Sequence, residues 1–160
     1  MRGRIAPATL MLACVAAGPL TAQGNPLARF EGTYEVLSST LPAPNAEIMY
    51  RRVSDGLGLH SVWRHGEGAS FYEAHALWGY DRSSSLVTVL EVNSLGVVAI
   101  HRGRFDDAGV LTLERIDDDG ARVLERRRFW WSNEATLEMT LDILSMSPPV
   151  RHEVALARHE

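Results

Sequence analysis

Between Phe71 and Asn93 the chain reads FYEAHALWGYDRSSSLVTVLEVN. Tyr72, Ala74, Ala76, Trp78 and Tyr80 share one parity, while Phe71, Glu73, His75 and Leu77 share the other. A period of 2 with aromatics gathered on one side is the pattern of a half-buried β-strand. Asp81 to Ser85 then offers polar turn residues, and Leu86 to Val92 resumes with Val, Thr and Leu. A strand, a short turn and a second strand form an antiparallel hairpin, which needs no crossover helix.

The rest of the chain repeats this rhythm. Strands are expected over 33–37, 46–53, 57–63, 97–105, 110–116, 121–131, 135–144 and 150–158, besides the two of the hairpin. Asp55-Gly56, His65 to Gly68, Asn93 to Gly96, Asp106 to Gly109, Asp117 to Gly120, Ser132 to Glu134 and Ser145 to Pro149 separate them. That is about ten strands with turn signals between them and no long helical pattern, which argues against a βαβ fold. Asn25 followed by Pro26 is a start signal for one short helical turn before Gly32. An open sheet of this size would leave two exposed edges. The expected fold is therefore all-β, an antiparallel up-and-down barrel, with a two-sheet sandwich as the alternative.

The 160 residues suit one domain, and 46% hydrophobic with 22% charged residues is the composition of a globular chain. The 16 basic residues are all Arg, as follows from codon usage in a GC-rich genome or from selection for bidentate anion binding. The formal charge of −4 argues against a general nucleic-acid binder, despite Arg126-Arg127-Arg128. That triplet lies in a strand, where successive side chains point to opposite sides.

Arg2 and Arg4, the apolar run from Ile5 to Ala17, the break at Gly18-Pro19 and the small residues Thr21 and Ala22 read as a secretory signal peptide over residues 1–22. The apolar run falls short of the about 20 residues of a membrane span. The lone Cys14 would suit a lipobox, but Met11 matches one poorly and the apolar run continues past the cysteine. The expectation is export to the periplasm or beyond, with residues 23–160 as one barrel domain free of disulfides.

Chemistry is weakly marked. Asp117-Asp118-Asp119-Gly120 lacks the alternating ligands of a calcium loop and reads as a hairpin turn. His60, His65, His75, His101, His152 and His159 show no zinc spacing, although His75 and His101 are placed to approach across strands. No GxSxG elbow or phosphate-cradling glycine loop is present. A hydrolase built on His75 with Glu73 or Glu91 is the only enzymatic arrangement that the alternation suggests.

A barrel of this size can hold one small ligand. Tyr34, Tyr50, Trp63, Tyr72, Trp78, Tyr80 and Trp130 would line such a cavity, and Glu73, His75, Arg127, His152 or Glu153 would orient a small, largely apolar molecule. The competing expectation is that the aromatics fill a solid core and the molecule acts through its surface. Around Arg126 to Trp131 neither parity is cleanly apolar, so inward faces are left open there.

Phe30-Glu31-Gly32-Thr33-Tyr34, Gly79-Tyr80-Asp81, Asn93, Gly96 and the closing Arg158 resemble the pattern of an uncharacterised bacterial family of calycin-type, lipocalin-like barrels. The resemblance spans the mature chain and implies a barrel with a ligand cavity, but no reaction. A further comparison is with the nitrobindin-like haem barrels, whose late-strand histidine matches His152. Val36 and Ser38 stand where their opening motif carries glycines, so haem through His152 is only an alternative.

Overall fold

The computed structural model describes residues 24–41 and 45–159. The expected signal peptide and Cys14 lie outside the described residues. The fold is a closed antiparallel barrel of ten strands in sequential order. These are β1 (Gly32–Ser39), β2 (Glu47–Val53), β3 (Gly58–His65), β4 (Tyr72–Asp81) and β5 (Leu86–Asn93). They continue as β6 (Val98–Phe105), β7 (Leu111–Ile116), β8 (Val123–Trp131), β9 (Thr136–Ile143) and β10 (Val150–Arg158). Closure comes from β1, which pairs with β2 on one side and with β10 on the other, Tyr34 standing opposite both Ile48 and Arg158. Every strand is thereby bonded to two neighbours, which is the physical reason for a barrel rather than an open meander.

Five turns are built alike. Asp81, Asn93, Asp106, Asp117 and Asn133 each use a side-chain oxygen to accept from backbone N–H groups two to five residues ahead. These bonds satisfy donors that the strand ladder releases at each reversal. Asp117 is thereby committed to Ala121 and Arg122, in keeping with a hairpin turn.

One end of the barrel is plugged. Pro26–Phe30 forms a 3-10 turn, capped by Asn25, whose side chain accepts from Leu27 N–H at 3.0 Å. Leu27 and Phe30 are buried, and the Phe30 ring lies 5.8–6.0 Å from those of Tyr50, Trp78, Phe129 and Trp131. Tyr34 donates to Phe30 O at 2.8 Å, and the Arg158 guanidinium covers Trp131. Phe30 meets Phe129 and Trp131 edge to face, an arrangement that aromatic pairs prefer.

Gly103 has a packing reason. A Cβ there would overlap the Thr112 carbonyl, so the close approach of β6 to β7 requires glycine. Beyond Arg102 and Glu114 the two strands cease to pair and leave a lateral groove lined by Val98, Ile100, Arg115 and Ile116.

Candidate functional site

Alternation decides which side chains enter the barrel. Inward on β2 to β5 are Ile48 and Tyr50; Ser61, Trp63 and His65; Tyr72, Ala74, Ala76 and Trp78; and Glu91. On β8 and β9 they are Arg127 and Phe129, then Met139, Leu141 and Ile143. These residues, with Leu41 and Leu95 from the loops, enclose a cavity of about 450 Å³ above the plugged floor. That volume falls in the range of small-molecule sites. The small side chains of Ala74 and Ala76 leave the space that larger residues in those positions would occupy. His65 and Tyr72 stack at the mouth with ring centroids 4.9 Å apart.

One wall is polar. Arg127 donates from Nη1 to Glu91 Oε2 at 2.6 Å and from Nε to Glu125 Oε1 at 2.5 Å. His101, fully buried, places Nε2 3.2 Å from Glu125 Oε1. Its Nδ1, like the Trp63 indole N–H, has no hydrogen-bond partner among the described residues. Burial would raise the Glu125 pKa, but the His101 hydrogen bond and the Arg127 charge outweigh it and hold the carboxyl down to about 2. Burial likewise disfavours the charged guanidinium of Arg127, and the two glutamates more than reverse that. Tyr50 is pushed well above the usual phenol range, mainly by burial, and Tyr72 is raised by burial and then by the Glu91 charge.

Of the residues expected to bind a ligand, Tyr50, Trp63, Tyr72, Trp78 and Arg127 line this cavity. Tyr34 and Tyr80 belong to the packed interior instead, Tyr34 in the floor. Glu73, His75 and Trp130 stand on the outer wall because their parity is opposite to that of Ala74, Ala76 and Phe129. Glu73 pairs there with Arg64 and with His75, and His75 meets His60 at 3.2 Å. Of the two hydrolase pairs expected, His75 with Glu73 forms at 2.7 Å but on the exposed outer wall, away from the cavity; the pair with Glu91 does not form, because His75 faces outward and Glu91 inward. For the same reason His75 and His101 do not approach, and no group of three or more His, Cys, Asp or Glu among the described residues is placed to hold a metal ion.

His152 sits beside Thr40, with Nδ1 3.4 Å from its carbonyl oxygen, and is not among the residues lining the cavity. It shares the parity of buried Val154 and Leu156 on β10 and stands opposite the cavity-lining Leu141. Glu153 is exposed on the outer parity of β10.

The chain matches no protein-family model, and no curated protein matches it.

The polar members Glu91, Ser61, His101 and Glu125 were not singled out as ligand contacts from the sequence. A signal for two of them, Glu91 and His101, existed, as it did for Arg127. Val87-x-Val89-x-Glu91, Ala99-x-His101-x-Gly103 and Arg127-x-Phe129-x-Trp131 each carry one ionisable residue on an otherwise apolar or small parity. Such a residue needs a partner inside, and these supply one another's.

Proposed function

We propose that this chain is an exported, lipocalin-like barrel that binds a small, largely apolar molecule inside the barrel. The observation that carries this reading is the cavity of about 450 Å³, walled by Tyr50, Trp63, Trp78, Phe129 and Met139 and bordered by a single polar wall. Apolar rings and chains gain by leaving water for such a wall, at roughly 25 cal/mol per Å² buried. The charged and apolar order of residues 1–22 supports export, and the Gly79-Tyr80-Asp81 resemblance supports the lipocalin-like assignment.

The test is a titration with a neutral, environment-sensitive apolar dye. Binding is expected to saturate at one dye per chain and to quench Trp63 and Trp78. Ala76→Phe, which fills the cavity from β4, is expected to weaken binding at least about tenfold, a loss of about 1.4 kcal/mol. Equal binding by a folded A76F protein would contradict the reading.

The outer wall supports a second reading, in which the molecule acts through its surface. Leu77, Leu90 and Ile100 stand side by side across β4, β5 and β6, and Val92 faces Val98 in the next row. All five are exposed, Val98 at 65%. A contiguous exposed apolar face marks an interaction surface. A solution mass by light scattering that rises with concentration above that of one mature chain, and falls back in Leu90→Glu, would favour it.

A further inference from the structure

We propose that the outer wall of the barrel carries a site for a divalent transition-metal ion, copper(II) before others, with His60 and His75 as its protein ligands. The site lies across the wall from the cavity and stands independently of the cavity reading.

Register places the two ligands. His60 of β3 stands opposite Leu77, and His75 of β4 stands opposite Val62, so the histidines are diagonal neighbours on the outer parity. Long side chains in that relation reach each other. Their rings lie within 15° of parallel, with centroids 5.4 Å apart, and His60 Nε2 comes 3.2 Å from His75 Nδ1. Two imidazole nitrogens that bind one ion at about 2.0–2.1 Å each are about 3.2 Å apart when the bonds open at roughly 100°. The pair thus already stands at the spacing of a chelate. Between the rings alone the contact is an N–H···N hydrogen bond. With an ion in that place His60 carries its proton on Nδ1 instead, and both rings turn slightly on the solvent side so that their lone pairs converge.

The partner of the other His75 nitrogen is the second observation. His75 Nε2 donates to Glu73 Oε1 at 2.7 Å, and Arg64 Nε donates to the other oxygen of the same carboxylate. An ionised carboxylate only accepts, so the neutral imidazole keeps its proton on Nε2 and its lone pair on Nδ1, facing His60. A carboxylate on the far nitrogen is the usual setting of a metal-binding histidine, since it fixes the tautomer and makes the ring a better donor to the ion. Glu73 is a positioning residue in this arrangement.

The donor set selects the ion. Imidazoles suit copper, zinc and nickel, whereas calcium and magnesium want oxygen ligands. Zinc sites draw three or four ligands from the protein, and no third His, Cys, Asp or Glu among the described residues joins these two. Copper(II) binds a given set of nitrogen donors most tightly among the divalent first-row ions, with water in the remaining positions. Arg51, opposite His60 on β2, puts a positive charge beside the site, so a micromolar rather than nanomolar Kd is expected.

The test is calorimetric titration of the exported, folded protein with copper(II) chloride in a non-coordinating buffer, followed by electron paramagnetic resonance of the loaded sample. One ion per chain is expected in the micromolar range, with nitrogen couplings from both imidazoles. Folded His60→Gln and His75→Gln should each weaken that site at least about tenfold and lose one set of couplings. Glu73→Ala should weaken it about tenfold with both sets of couplings kept, and Glu73→Gln, which still accepts from Nε2–H, should recover most of the loss. Copper bound equally well by folded H60Q and H75Q would overturn the proposal, as would a wild-type Kd weaker than about 1 mM. Should the variants not fold, the wild-type spectrum decides: absence of imidazole couplings would overturn the site.

Discussion

At the level of single residues, the interior ion network is where the chain takes its largest electrostatic risk. Arg127 is mostly buried and satisfies two carboxylates at once. Arg127→Met leaves Glu91 and Glu125 without their cation, and loss of one partner of a buried pair typically costs about 3–5 kcal/mol. The expected result is a large drop in the urea midpoint at pH 7, measured by tryptophan fluorescence. Glu125 adds a pH signature. Its folded pKa, about 2, lies below the ordinary carboxylate value of 4.5. A depressed carboxylate contributes stability above its unfolded pKa and loses it as pH falls through the folded one. Stability should therefore decline between about pH 4.5 and pH 2, and Glu125→Gln should decline less steeply there, with Glu73, Asp81 and Asp142 sharing the remaining slope because hydrogen bonds also lower them. An unchanged slope in urea unfolding at pH 5 and pH 3 would remove Glu125 as a cause.

At the level of elements, the floor and the β6–β7 contact carry the fold. Phe30 reaches five other rings from a five-residue 3-10 turn, so Phe30→Ala removes the centre of the plug. A loss of about 3–5 kcal/mol is expected from deleting a buried ring, visible as a lower urea midpoint. Gly103→Ala should destabilise as well, since its Cβ collides with the backbone of β7 at Thr112, which is not the flexible end of a side chain. The strands themselves were legible in the sequence, because alternation and Asx turns act locally and each turn satisfies its own backbone donors. The floor was only half legible. Asn25-Pro26 announces a turn, but nothing local says that Phe30 folds under the barrel to meet Trp78 and Phe129.

At the level of the whole molecule, closure was deducible from the edge problem, while the division of the interior was not. Whether a barrel is solid or hollow depends on the sum of inward volumes over all strands. Here Ala74 and Ala76 face a wall of larger side chains and leave room, whereas Phe30, Tyr34 and Tyr50 fill the opposite end. The misplaced expectations share one cause. Glu73, His75 and Trp130 were chosen by residue type, and a one-residue shift in parity sends a side chain through the wall to the other side. Arg127 shows the converse: within Arg126-Arg127-Arg128 only register identifies the middle guanidinium as the inward one, opposite Leu141 and Leu113.

The central claim is that this hollow end holds a small apolar molecule, and native mass spectrometry tests it most directly. The protein would be exported from a bacterial host, purified without detergent and weighed under native and denaturing conditions, alongside Ala76→Phe. A discrete mass excess under native conditions, lost on denaturation and absent from folded A76F, is the predicted result. A bare polypeptide mass for the wild type, both as purified and after incubation with decanol, would contradict it.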